Sequence, residues 1–358
     1  MIKRKSNLEL LRILSMILIF LWHYVYWGIN DISINSISNR LLFDFISLGG
    51  RIGVNIFILI SSWFLIESKF SMKKLVVLVL KVKIYAIGFL LIAFLLKENL
   101  SVKWIVISLF PILFKEYWFI TCYIMLYLFF PYLNLVLTRL KKNELKLLLM
   151  LLILIFCILQ TFIGTRLFYS EFIWFIVLYF IVFYIKKYCV IREKNFFLKA
   201  SIVIYIIIFT GIEIVKYLNL RIYLISEYSI TGLIFSLMIF LYFLQINIRY
   251  NKLINFISSG TLAVYLIHEN IFGRNILWER ILKISKIVNS QVGVVILHII
   301  VSVLLIFILG IFLDKVLQYI LDNFLDKKIN NLTLFLEEKR VDIVNKIIKF
   351  SEKFEIKE

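Results

Sequence analysis

Long apolar runs follow one another along this chain, separated by short polar stretches. They occupy residues 8–28, 43–66, 75–96, 117–137, 147–163, 172–185, 200–217, 230–246, 258–273 and 291–313. A helix of roughly 20 mostly apolar residues crosses a bilayer, and hydrocarbon forces backbone polar groups to be satisfied within the spanning segment. The pattern therefore predicts an all-α, polytopic membrane protein with about ten transmembrane helices. An eleventh run, 104–114, holds Pro111 and is too short to span, so a re-entrant or interfacial segment is expected there. Lys3, Arg4 and Lys5 precede the first run as they would a signal peptide, but Arg12 interrupts it and no small-residue cleavage site follows. The final stretch, 314–358, carries 9 basic and 9 acidic residues, with Val341, Val344, Ile347, Ile348 and Phe354 at helical spacing. Two readings stay open for it: an amphipathic helix on the cytoplasmic face, or a solvated helical tail. The simplest partition is one membrane domain over 1–315 and a charged cytoplasmic tail over 316–358, with no internal repeat and no room for a separate soluble domain.

Composition agrees. Hydrophobic residues make up 62% of the 358 positions, and the mean hydropathy is +0.97, more apolar surface than a soluble domain can cover. The net charge of +19 would raise the question of nucleic acid in a soluble protein. Here it reads as loop charge, and no nucleic-acid partner is expected. Alternate loops beginning with the N-terminus hold 17 Lys/Arg in 48 residues, against 11 in 79 for the opposite set. The basic set belongs inside, which predicts that both termini are cytoplasmic. Cys122, Cys157 and Cys189 lie in or beside apolar runs without CxxC spacing; they read as packing residues, and no metal site is expected.

Four basic residues fall within the spans: Arg12, Arg51, Lys81 and Lys83. Charges in hydrocarbon are costly and mark functional positions by default, although Lys81 and Lys83 lie near a span end and can snorkel. His23 follows Arg12 by eleven residues, which at about 100° each returns to within roughly 20° of the same face, about 16 Å along the axis. One face can thus hold an anion at one end and move a proton at the other. The competing reading pairs Arg12 with Glu9, one turn before it, and gives His23 to a neighbouring helix. On the second span, Gly49, Gly50 and Gly53 permit close helix approach, while Arg51 and Asn55 are one turn apart. The ninth apolar segment contains His268 and Glu269 in the same outer half as His23, and Trp118, Phe119 and Tyr123 open the fourth from that side. An aromatic belt alone explains the last three. His298 reads as a packed histidine, and Glu213 with Lys216 as a structural pair.

These residues resemble the integral membrane acyltransferase family 3, bacterial enzymes that acylate, most often O-acetylate, cell-surface polysaccharides. Asn7-Leu8-Glu9-Leu10-Leu11-Arg12, ten residues, then His23 resembles the family's Arg-x10-His signature. Gly50-Arg51-Ile52-Gly53-Val54-Asn55 through Ser61-Ser62-Trp63 is similar to its second-span motif, with Ser62 in place of a glycine. Trp118-Phe119-Ile120, with Pro131 closing the span, and Tyr265-Leu266-Ile267-His268 resemble two later motifs. The likeness covers roughly 5–315. It implies a cytosolic acyl-CoA donor such as acetyl-CoA, with no tightly bound cofactor, and an acceptor hydroxyl on a capsular, exopolysaccharide or lipid-linked glycan of the envelope. The setting it implies is the bacterial plasma membrane, whose lipids are the remaining partners. His23 would be a general base or acyl relay and Arg12 a catalytic positioning or donor-binding residue. Arg51, Asn55, Ser61, Trp118, His268 and Glu269 would contact substrate. Lys73 and Lys74 stand where family members carry CoA-side arginines. An imidazole can deprotonate a hydroxyl near neutral pH, and a Lys point charge can serve a phosphate without the bidentate fork.

Two readings from other classes share the intramembrane polar residues. A glycan or lipid-linked glycan exporter would favour paired Gly/Pro helix interruptions in two halves, which 2 prolines and no visible repeat do not supply. A polysaccharide polymerase would favour a large outer loop, which is also missing from the pattern.

Overall fold

The computed structural model describes residues 5–29, 32–163, 170–191, 193–218 and 226–351, with the backbone alone for 194 and 347–351. Lys3, Arg4, Phe354 and the side chains of Ile347 and Ile348 lie outside this description. The described residues form helices and no strand. In chain order these are α1 (Ser6–Tyr26), α2 (Ile37–Ser47), α3 (Gly49–Leu65), α4 (Met72–Leu95), α5 (Val102–Leu109) and α6 (Trp118–Arg139). Next come α7 (Lys142–Ile153), α8 (Leu159–Ile163), α9 (Glu171–Tyr188), α10 (Lys194–Tyr217) and α11 (Ile230–Gln245). The chain continues through α12 (Lys252–Ser259), α13 (Thr261–Glu269), α14 (Ile271–Arg274), α15 (Ile284–Ile287), α16 (Val292–Ile320) and α17 (Asp326–Ser351). Three π-helical turns, at Leu154–Ile158, Asn275–Ile281 and Leu321–Leu325, join neighbouring pieces.

All ten long apolar runs become helical in the expected order. Among the described residues, seven helices are long and apolar enough to cross a membrane. The others differ for physical reasons. α11 has 16 residues, and the ninth run is broken into α12, α13 and α14 at Gly260 and Asn270. The 104–114 run yields only the eight-residue α5, followed by turns through Pro111. Pro131 lies inside α6, which continues to Arg139, so it does not close that span.

α1 lies at the centre, against α2, α3, α11, α12, α13 and α16. Its closest neighbour is α3, where a Cβ on Gly53 would stand 2.6 Å from the Ser15 carbonyl oxygen, and one on Gly50 would stand 2.0 Å from Trp22 Cβ. Only glycine allows that approach. Polar residues of this layer are satisfied across helices: Asn55 donates to the Glu227 carbonyl at 2.6 Å and accepts from Trp174 Nε1 at 2.9 Å.

α16 continues through a π turn into α17, so the 315/316 boundary falls within continuous helix. α17 packs on α4, with Asp326 on Lys73 at 2.8 Å and Arg340 over the Phe70 ring at 5.2 Å. Ile329 is buried, whereas Val341 and Val344 remain exposed. The segment is thus docked along its first turns. Cys122 and Cys157 are buried as packing residues, but Cys189 is exposed beyond the end of α9.

Candidate active site

The bundle encloses a cavity of about 810 Å³. Its wall is shared by α1, α3, α4, α6, α12, α13 and α16, and it extends from Lys74, Lys315 and Gln318 at one end to His23, Trp27 and Glu269 at the other. Arg12 and His23 both line it, as their shared helical face requires. Lys74, Leu75, Leu78 and Lys81 line it from α4 at i, i+1, i+4 and i+7, the stripe a single helical face presents.

At the His23 end, geometry fixes the protons. His268 is fully buried, and its Nδ1 lies 2.6 Å from the Val264 carbonyl, which can only accept. Nδ1 therefore carries the proton and Nε2 the lone pair. That lone pair faces His23 Nδ1 at 3.0 Å, so His23 donates there. His23 Nε2 is left with its lone pair facing Glu269 Oε2 at 3.1 Å, a gap that one proton taken up by Nε2 would bridge. Glu269 is held by Trp27 Nε1 at 3.2 Å and by the Arg274 guanidinium at 2.5 Å, itself stacked 3.8 Å over the Trp27 ring. The result is a histidine with one nitrogen locked in place and the other paired with an oriented carboxylate at the cavity wall, an arrangement suited to general acid–base chemistry. Both roles follow from the order of the chain Val264, His268, His23, Glu269.

The other sequence candidates are placed as follows. Arg51 lies over the Trp22 ring at 4.7 Å, beside His23, and pairs with Glu227 at 3.0 Å. Ser61 and Trp118 line the cavity between its ends. Asn55 is fully buried behind the wall and committed to Glu227 and Trp174, and His268 sits behind His23. Arg12 fits both of its readings: it pairs with Glu9 at 2.8 Å, Glu9 also accepts from Ser258, and the guanidinium still faces the cavity. Lys74 lines the mouth, but Lys73 points to Asp326 instead. Lys81 does not snorkel: it forms a buried pair with Asp314 at 2.7 Å on the cavity wall. Lys83 is exposed, 5.9 Å from the Phe110 ring. His298 is a packed histidine, bonded to the Tyr24 hydroxyl and the Leu282 carbonyl, and Lys216 joins Glu213 with Asp44.

Four contributors escape sequence reasoning. Asp314 and Lys315 follow the last apolar run and read as tail. Arg274 reads as loop charge because it stands five residues from Glu269, off the shared face of any continuous helix. Trp27, at the end of α1, carries no chemical signal of its own in the sequence. Only a knowledge of where α13 breaks brings Arg274 to the carboxylate.

Membrane-crossing helices around a cavity that ends on a histidine–carboxylate pair define a polytopic membrane protein. Residues 5–313 match the family model described as acyltransferase domain. The chain belongs to acyltransferase family 3 and is a multi-pass membrane acyltransferase. No curated protein and no solved structure matches it.

Proposed function

We propose that this acyltransferase moves an acyl group, acetyl by preference, from a cytosolic acyl-CoA to a hydroxyl of a glycan on the outer face of a bacterial plasma membrane. The observation that carries this reading is the single cavity joining the lysine-lined mouth to His23 and Glu269. With the Lys/Arg bias setting orientation, the lysine end is cytoplasmic and the histidine end lies in the outer half. An extended thioester arm entering at Lys74 and Lys315 runs toward His23, while the acceptor enters beside Arg51 and Trp27. The acceptor oxygen attacks the thioester carbonyl, forming the ester C–O bond as the C–S bond breaks. Its proton passes to His23 Nε2, and the thiolate leaves toward the cytoplasm. Glu269, held by Arg274 and Trp27, then balances the imidazolium. That proton then lies between His23 Nε2 and Glu269 Oε2, which stand 3.1 Å apart.

Surface glycan from wild-type and deletion strains, compared by NMR, tests the proposal. The expected result is full-length polymer that has lost its O-acetyl methyl signal. Loss of surface polymer with acylation intact would instead identify an exporter.

The mouth gives a second expectation. Among the described residues, the cavity cations Arg12, Arg51 and Lys81 each have a carboxylate partner, whereas Lys315 bonds the Ser259 hydroxyl at 2.8 Å and leans on Phe256. Its charge is open to a phosphate. A charge-assisted contact contributes about 1.5–3 kcal/mol, so Lys315→Ala should raise KM for acetyl-CoA by roughly tenfold or more with kcat nearly unchanged. Lys73→Ala should move KM far less. Steady-state rates in membrane vesicles decide it, and an unchanged KM in K315A removes Lys315 from the donor site.

A further inference from the structure

Glu116 lies just before α6, outside the spans. Its Oε1 accepts from Asn270 Nδ2 at 2.7 Å, and the Ile271 N–H reaches the same oxygen at 3.5 Å. Asn270 is fully buried and fully used: Nδ2 also donates to the Tyr117 hydroxyl at 2.8 Å, and Oδ1 accepts from the N–H groups of Phe272 and Gly273 at 3.0 and 2.9 Å. This asparagine is the break between α13 and α14, with an extended ψ of 138°. The break has a geometric purpose. On an unbroken helix, residues five apart diverge by roughly 140° around the axis, and Arg274 would turn away from Glu269. With the break in place, the two meet at 2.5 Å.

We propose that Glu116 is a positioning residue for acyl transfer: through Asn270 it holds the helix break that seats Arg274 on Glu269 and thereby sets the His23–Glu269 pair. This inference rests on the reading of the site given under the proposed function. Two further atoms fit it. Glu116 Oε2 and Arg274 Nε are both buried without a hydrogen-bond partner, leaving opposite charges to attract across the cluster. The charged groups acting on Glu116 are Arg274 on α14 and Glu269 on α13, with Lys115 beside it in the chain. Burial pushes its carboxyl up to about 7, with the Ile271 N–H and Arg274 pulling down and Glu269 pushing up. Below that pH it is a neutral acceptor. Above it the bond to Asn270 becomes charge-assisted and stronger, so transfer should rise as pH increases through about 7.

The test compares wild type, Glu116→Gln, Glu116→Leu and His23→Ala. Initial acyl-transfer rates from acetyl-CoA to the native glycan are measured in vesicles across pH. Separately, the modification rate of His23 by diethyl pyrocarbonate is followed by mass spectrometry on the purified protein. The expected result for E116L is a kcat lower by roughly tenfold to a hundredfold, the cost of a small misplacement, with KM for acetyl-CoA unchanged and faster His23 modification. E116Q should recover much of the rate and lack the rise around pH 7. Coincident pH profiles for E116Q and wild type overturn the proposal, as does unchanged His23 modification in E116L. If E116L does not fold, the E116Q profile decides alone. If H23A leaves acylation intact, the role given to His23 in the proposed function fails, and the His23 modification rate still reports whether Glu116 positions the pair.

Discussion

His23→Ala should reduce the acyl content of the surface glycan by about 10²- to 10⁴-fold, the range a positioned general base contributes, while the protein accumulates normally in the membrane. The expectation follows from where His23 stands. It is the only residue of the buried chain that both faces the cavity and carries a nitrogen able to take a proton from a bound hydroxyl. Asn at this position keeps the donor to His268 and supplies no base, so H23N should be as inactive as H23A. His268→Phe should fall between the two and wild type, because it leaves the His23 Nδ1–H without its acceptor at 3.0 Å but leaves Nε2 and Glu269 in place. NMR quantification of O-acyl groups, normalised to immunoblotted protein, measures all three. Acylation at wild-type level in H23N would remove His23 from the chemistry.

The second large effect is structural. Gly53→Val should separate α1 from α3 and abolish activity together with stability. A side chain here meets the Ser15 backbone oxygen at 2.6 Å, with Ile19 Cγ1 at 2.9 Å. Backbone cannot rotate aside as a long side chain can, so α1 itself must move. Overpacking costs about 1–3 kcal/mol and more when backbone is displaced. Because Arg12 and His23 ride on α1, the displacement also misaligns both ends of the cavity. Gly88→Ala is the matched control, since nothing lies within 4 Å of that position and alanine favours a helix. Thermal unfolding in detergent should show a drop of several degrees for G53V and none for G88A. Equal melting of the two would show that the α1–α3 contact tolerates the extra volume.

Local periodicity carries far in this sequence. Helix positions and order follow from the apolar runs, although only seven helices among the described residues are long and apolar enough to cross a membrane, and the common face of Arg12 and His23 follows from their eleven-residue separation. Both describe single helices. What periodicity does not reach is the meeting of helices distant in the chain. Lys81 reads as a snorkelling residue because its partner, Asp314, lies 233 residues away and ends an apolar run where a tail begins. Asn55 shares a face with Arg51, yet tertiary packing turns it toward Glu227 and Trp174. Arg274 is hidden by the same break that makes it useful, since a helical period projected through Asn270 sends it to the wrong side. His268 is legible as a polar residue at the right depth, but its role behind His23 needs the observed order of hydrogen bonds.

The Lys81–Asp314 pair also bears on how the molecule is made. Arg12 enters the membrane with Glu9 one turn away, so α1 brings its own neutralising partner. α4 does not. A lysine in an apolar wall without its counter-ion is costly, and Asp314 is synthesised only after nearly all the other helices. The lysine-lined half of the cavity therefore closes last, when α16 arrives and its acidic residue reaches α4. A chain truncated before residue 314 would hold His23, His268 and Glu269 and still lack the partner of Lys81. Biogenesis thus imposes an order on the two ends of the cavity, with the residues of the His23 end made before the acidic residue that completes the lysine-lined end.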